Sequence, residues 1–403
     1  MSSRRQETQA QDVSYSKLNL SPCLHQCIAT LKGNSSYVSS LAIYGDSLYM
    51  ASSDGHIRLW PLDMAMDDAV QRAEQSCSTS TVAITNSPIK CVIATSTGLV
   101  SSHQDGKIRV WHPPAQRNGS SDHHHHLTVR AVLPTATDRL RTFPFPSNYV
   151  EVRRHRKTTW VHHADAVAAL AVSPDGAEMY SVSWDRSLKA WRLPCLRCVE
   201  SVAAAHDDAI NAVAVAADGR VFTGSADGTV KAWWRRGPGQ RKLELVGTME
   251  RHSAAVNALA LGAGGRVLYS GSCDRSVVVW ECGAGGDMAM VMVATATLRG
   301  HTKAVLCLAA AGDVACSGSA DTTVRVWRRG GAAAAEAGYA CLAVLGGHAG
   351  AVKSLALVSK PGGDHDGPSC DGCCSAAYVC SGSLDCDVKV WKVTVSSLSA
   401  SLL

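Results

Sequence analysis

Apolar and polar residues alternate in short runs along most of the chain, and one run returns seven times: SSDGHIRLW, SHQDGKIRVW, SVSWDRSLKAW, TGSADGTVKAW, SGSCDRSVVVW, SGSADTTVRVW and SGSLDCDVKVW. In each, an Asp stands six residues before a Trp: Asp54/Trp60, Asp105/Trp111, Asp185/Trp191, Asp227/Trp233, Asp274/Trp280, Asp321/Trp327 and Asp385/Trp391. Between them apolar residues fall at every second position, as in Ser276-Val277-Val278-Val279-Trp280, and this period of two predicts strands. Seven of the ten Trp are used in this way, so Trp serves architecture.

Two further positions keep the cadence. A His followed four residues later by Val or Ile precedes five of the pairs, at His163, His206, His252, His301 and His348. Ser or Thr lies four residues before the Asp at Ser101, Ser181, Thr223, Ser270, Ser317 and Ser381. With these motifs the sequence resembles the WD-repeat family, whose four-stranded blades surround a central channel. The resemblance implies a hydrogen-bonded tetrad in each blade: His163, Ser181, Asp185 and Trp191; His206, Thr223, Asp227 and Trp233; His252, Ser270, Asp274 and Trp280; His301, Ser317, Asp321 and Trp327; His348, Ser381, Asp385 and Trp391. A His, Ser and Asp together invite comparison with a catalytic triad. A catalytic site occurs once, however, and this set occurs five times, which makes it a structural staple.

The expected fold is all-β, a seven-bladed WD40 propeller whose last blade is closed by an N-terminal strand. Later repeats end in a fourth-strand segment, yet only a dozen residues follow Trp391, and CLHQCIATLKG stands at residues 23–33. The stretch from Leu24 to Leu31 is therefore expected to complete blade seven and remove an exposed sheet edge. The propeller is placed at 23–395, with a disordered tail at 1–22, a short tail at 396–403 and insertions at about 61–84, 113–162 and 359–377. The pattern has departures. No repeat carries Trp-Asp, blades one and two have Asn34 and Thr85 in place of the His, and Met50 replaces the first hydroxyl. Those two blades are expected to be the least rigid.

Composition adds limits. The 403 residues are 46% hydrophobic and 18% charged, which excludes wholesale disorder. No apolar run approaches the length of a membrane span, and MSSRRQETQAQDVSYSK has no signal-peptide core, so a non-secreted protein of cytoplasm or nucleus is expected. The 16 Cys are scattered, many in strand-like runs, which favours reduced thiols. In the third insertion His365, Cys370, Cys373 and Cys374 contain one Cys-x-x-Cys but no second ligand pair, and His123 to His126 sit in low-complexity sequence. Neither supports a metal assignment, and no cofactor is expected.

The net charge of +5 is concentrated in the second insertion, where RLRTFPFPSNYVEVRRHRK, residues 139–157, sets six Arg or Lys against Glu151. Phe143, Phe145 and Tyr149 lie in the same stretch. Such a segment suits an acidic peptide, phosphate or nucleic acid, or else packs along a blade with its Arg at the rim. The string LPTATDRLRTFPFPSNYVEVRRHRKTTWVHHADAVAAL, followed by YSVSWDRSLKAW, resembles the plant Jingubang-type group of WD-repeat proteins, which implies a regulatory scaffold of nucleus and cytosol.

Four functions compete. The first, and the expected one, is a non-catalytic scaffold that binds other proteins, including acidic or phosphorylated segments, and is otherwise monomeric. By the resemblance its contact face includes Tyr37, Ser39, Lys90, Gln104, Ala166, Trp184, Asn211, Asn257, Leu306, Lys353 and Leu384, and the insertion adds Arg153, Arg154, Arg156 and Lys157. Trp184 stands out, because its counterparts are Ser53, Gln104, Ala226, Cys273, Ala320 and Leu384. It is either buried by the insertion or exposed beside Asn211 as a peptide anchor. An enzyme is disfavoured because no GxSxG, HExxH, GxxxxGK[ST] or helix-opening GxGxxG occurs. A ubiquitin-ligase substrate receptor would carry Trp-Asp-x-Arg, whereas the nearest match is Trp233-Trp234-Arg235-Arg236. Nucleic-acid or acidic-lipid binding through 139–157 is the remaining alternative.

Overall fold

The computed structural model describes residues 24–32, 34–62, 80–112, 126–142, 149–153, 156–235, 242–282, 292–329, 338–359 and 375–395. Seven four-stranded antiparallel sheets form seven blades. Their inner strands, Val38–Tyr44, Ile89–Thr95, Val167–Val172, Ile210–Val215, Val256–Gly262, Val305–Ala311 and Val352–Ser359, pack in sequence, and the last returns to the first. The fold is the β-propeller anticipated from the repeat. Leu24–Leu31 pairs antiparallel with Val388–Val395 as the outer strand of blade seven. The Lys389 ammonium donates to Thr30 Oγ1 at 3.1 Å, so the closing strand is held by a side chain as well as by its ladder.

The hydrophobic cores lie between blades. Each of the seven clusters of buried residues draws on two adjacent sheets: Leu31, Val388 and Val390 of blade seven meet Val38, Leu41 and Met50 of blade one, for example. A blade therefore cannot bury its apolar faces alone, and stability is shared around the ring. Close approach of the sheets requires glycine at one position. A Cβ on Gly224, Gly271, Gly318 or Gly382 would lie 2.6 or 2.7 Å from a methyl of Val256, Val305, Val352 or Val38, the first residue of the next inner strand.

Several expected boundaries need correction. The first insertion is shorter than 61–84, because Ser80–Ile84 is the outer strand of blade one and Pro61 ends the strand before it. The second is shorter than 113–162, because Thr128–Leu133 is the outer strand of blade two. In the third, strands extend to Ser359 and resume at Ser375. His365, Cys370, Cys373, Cys374, His123 to His125, Phe143, Phe145 and both terminal tails lie outside the described residues. The eleven described Cys are free thiols, four of them buried. No described helix is long and apolar enough to cross a membrane.

Two outcomes test this architecture. Trp191 is 1% exposed, so Trp191→Ala is expected to cost about 3 to 5 kcal/mol in urea unfolding; an unchanged midpoint would refute its place in the core. Gly382→Val forces methyls onto Val38 at the closure interface and is expected to cost about 1 to 3 kcal/mol in the same assay.

Candidate functional site

In every blade the Asp sits in the turn between the second and third strands. The residue after it has a left-handed backbone, supplied by Gly55, Gly106 and Gly228 in three blades and by Arg186, Arg275, Thr322 and Cys386 in the others. Behind this turn runs a hydrogen-bonded chain. In blade five Trp280 Nε1 donates to Ser270 Oγ at 2.8 Å, Ser270 Oγ lies 2.8 Å from His252 Nε2, and His252 Nδ1 lies 2.8 Å from Asp274 Oδ2. An indole can only donate and a carboxylate can only accept, so the polarity is fixed. The hydroxyl donates to Nε2, and the imidazole keeps its proton on Nδ1. The same chain joins Trp233, Thr223, His206 and Asp227; Trp327, Ser317, His301 and Asp321; and Trp391, Ser381, His348 and Asp385, with every step between 2.7 and 2.9 Å. In blade three Ser187 relays the last step, 2.9 Å from His163 Nδ1 and donating to Asp185 Oδ1 at 2.6 Å.

Blades one and two are not left open at the missing histidines. In blade two His103, two residues before Asp105, turns its Nε2 to within 2.8 Å of Ser101 Oγ, which accepts the Trp111 indole at 2.8 Å. In blade one the buried Arg58 guanidinium donates to Asn34 Oδ1 and Ser52 Oγ, each at 3.1 Å, while Ser52 Oγ donates to Asp54. The expectation that these blades are loosest therefore loses its basis. Sequence spacing missed His103 because it comes from the second strand and not from the loop between blades. The signal was present at His103 itself, since the other six repeats carry Ser two residues before the Asp, at Ser52, Ser183, Ser225, Ser272, Ser319 and Ser383.

Antiparallel order puts the Asp turns and the connections between blades at one end of the ring. Trp184, immediately before Asp185, is 39% exposed there, so it is not buried by the insertion. The side chain stacked on it is Lys90, whose Nζ lies 4.6 Å from the ring centroid in a cation–π contact, and not Asn211. Every inner strand also shifts register by one residue near its start, as between Val352 and Ser354 or Ile89 and Cys91. Such a bulge re-aims the extra side chain. The seven residues skipped are Ser39, Lys90, Ala168, Asn211, Asn257, Leu306 and Lys353. Asn211 Nδ2 donates to Val256 O at 3.1 Å and Asn257 Nδ2 to Val305 O at 2.9 Å, so both amides stitch neighbouring blades. Gln104, Lys353 and Leu384 are exposed, Tyr37 and Lys90 half-buried, and Ser39 and Ala166 buried. Burial lowers the Lys90 pKa, and Lys353 lowers it further against the opposing effect of Asp165.

The connection from blade two to blade three leaves from this same end. It contains the helix Ala136–Thr142 and a hairpin in which Tyr149–Arg153 pairs with Arg156–Thr159 as a two-stranded sheet separate from the blade sheets. The register opposes Arg153 to Arg156 and Glu151 to Lys157. Arg153, Arg156 and Lys157 are thus placed at the tip end of the hairpin, while Arg154 lies outside the described residues. The buried Asp138 carboxylate anchors the helix by accepting from Cys198 N at 3.3 Å.

The model of the WD domain, G-beta repeat family matches residues 25–61, 154–192, 196–233, 243–281, 292–328 and 339–392, more than half of the chain. The chain belongs to the WD40 repeat family. The family match passes over blade two, where His103 takes the unusual route. Two relatives show local similarity. An uncharacterized WD repeat-containing protein of Schizosaccharomyces pombe is 36% identical over 74 residues, covering 18% of this chain and 14% of its own. Human Striatin-4 is 47% identical over 57 residues, covering 13% and 8%. The matches thus span less than a sixth of either relative. WD40 propellers are in general non-catalytic platforms for binding other proteins.

The WD40 tetrads predict a pH dependence. Burial holds His163, His206 and His301 below the ordinary imidazole pKa, outweighing their Asp partners. Burial alone would raise the tetrad carboxyls, but hydrogen bonds from His, Ser or Thr and backbone amides hold Asp185, Asp227, Asp274, Asp321 and Asp385 below the usual range. Both shifts make the unfolded chain take up more protons than the folded one. The His contribution is complete above about pH 6.5 and is lost as pH falls toward the lowered folded values, and the Asp contribution is complete above about pH 3.9 and lost below it. Melting temperature is therefore expected to be level from pH 7 to 8 and to fall below about pH 6.5, with a second decline below about pH 4. A level profile down to pH 5, followed by circular dichroism, would contradict the buried neutral histidines.

Proposed function

We propose that this WD40 propeller is a non-catalytic scaffold that docks a protein partner on the end carrying the Asp turns. The observation that carries the proposal is the exposed Trp184 under the Lys90 ammonium, on the end from which the basic hairpin also leaves. A large aromatic held by a cation at the edge of the channel offers contact area at little cost in side-chain entropy. The hairpin adds positive charge close by, suited to steering an acidic or phosphorylated segment toward the mouth. Its resemblance to the Jingubang-type group supports a plant regulator that engages a signalling or transcription-regulating partner in cytosol or nucleus. The five tetrad histidines are committed to repeated structural chains, which supports a structural role for their Ser-His-Asp sets.

The basic hairpin favours one second reading, nucleic-acid or acidic-ligand binding through 139–157. A ubiquitin-ligase receptor has less support, since Arg235 of the Trp233-Trp234-Arg235-Arg236 stretch is committed to Glu178 and Glu200. Affinity capture from the source tissue, with nuclease treatment as a control, tests the choice. Trp184→Ala, and separately alanine at Arg153, Arg154, Arg156 and Lys157, are expected to leave melting unchanged and to reduce capture of a nuclease-resistant protein by at least about fivefold. Full capture by both variants would refute the docking face. Loss of nuclease-sensitive material alone would favour the nucleic-acid reading.

A further inference from the structure

The seven bulge residues form an uneven ring. Across blades four and five the ring is closed by Asn211 and Asn257, whose amides are committed to the next blade's carbonyls. Across blades seven, one and two it reads Lys353, Ser39, Lys90, with Ala168 following in blade three. Two lysines therefore stand on either side, in ring order, of a buried serine whose hydroxyl is already donated to Ala51 O at 3.2 Å. The inner strands of blades seven and two each pack on that of blade one, and Lys353, after burial, lowers the Lys90 pKa. Among the described residues neither makes a hydrogen bond or salt bridge, and Asp165 is the acidic group that offsets Lys90. A like charge near a half-buried ammonium disfavours its charged form, and an anion between the two would relieve that.

The geometry points to a receptor for one carboxylate side chain, an Asp or Glu of the docked partner, held between Lys353 and Lys90 with the neighbouring apolar residue laid on Trp184. This deepens the docking reading and rests on it. Asp165 partly offsets the lysine charge, which suits a single carboxylate better than a phosphate near −2. Lysine also suits the geometry, because its flexible stem lets Lys90 cover Trp184 and still turn its ammonium to an anion.

The test uses the full chain and fluorescein-labelled Gly-Ser-Leu-Glu-Leu-Ser-Gly, with its Gln and phosphoserine counterparts and a short oligothymidylate as competitor. Fluorescence anisotropy is expected to show the Glu peptide binding about tenfold tighter than the Gln peptide. Lys90→Met with Lys353→Met should bring the two within about twofold, while Lys90→Arg with Lys353→Arg keeps the preference. Alanine at Arg153, Arg156 and Lys157 should leave the Glu peptide still at least about fivefold tighter than the Gln peptide. The inference is overturned if wild type does not distinguish Glu from Gln, if the double Met variant melts normally and keeps the preference, or if the phosphoserine peptide or oligothymidylate binds tighter than the Glu peptide. Partner capture that still depends on Trp184 would then leave the docking reading standing, whereas capture independent of both Trp184 and the hairpin would remove that reading by itself.

Discussion

The structure depends on a donor that cannot accept and an acceptor that cannot donate. In the five blades with a full tetrad an indole N–H lies at one end of a buried chain and an Asp carboxylate at the other, so the hydroxyl and a neutral imidazole between them are ordered in one way. Every polar atom along the chain is used, and none is left to bear the cost of burial unpaired. The chain also fixes geometry. It ties the third strand, through Trp, to the second strand, through Ser or Thr, and to the loop from the preceding blade, through His. The Asp turn that it secures stands at the end of the ring proposed for docking, so the tetrad sets the frame on which Trp184 is held.

This dependence explains what was legible in the sequence. The Asp-to-Trp spacing lies within one hairpin and the His-to-Val spacing within one strand entry, so both survive as fixed intervals. Seven blades, five tetrads and closure by Leu24–Leu31 are therefore readable from the repeat alone. Contacts that bridge blades leave no interval. The pairing of Lys90 with Trp184 joins blade two to blade three, and the Asn211 and Asn257 stitches cross to the next blade. His103 was obscured for a related reason: a histidine entering from the second strand meets the hydroxyl from a different address and turns its other nitrogen to Ser87 O. Boundaries of the insertions were overdrawn where outer strands are short and lie next to irregular sequence, as at Ser80–Ile84 and Thr128–Leu133.

Blade one shows how far the scheme bends. With Met50 in place of the hydroxyl and Asn34 in place of the histidine, Arg58 supplies donors from the third strand, and Ser52 passes one on to Asp54. The requirement met is satisfaction of the carboxylate, and the identity of the donors is secondary. Blades one and two thus keep their polar closure although they depart from the repeat. Their departures also change the charge at the mouth, because Lys90 of blade two is next in the ring to Ser39 of blade one, and Lys353 lies on the other side.

A ring of seven similar blades would present a nearly symmetric face, and a symmetric face gives a partner no preferred rotation about the channel axis. Asymmetry must come from features that the repeat does not dictate. Here three of them fall on neighbouring blades: the lysines of blades seven and two, Trp184 of blade three, and the hairpin in the connection between blades two and three. The opposite side, at blades four and five, spends its asparagines on internal carbonyls. Attraction and apolar contact thus lie on one side of the mouth and self-satisfied polarity on the other. A partner docked as proposed, with a carboxylate between the lysines, would bring its next apolar residue over Trp184 and its further acidic residues toward the hairpin, so the features proposed for affinity would also set direction.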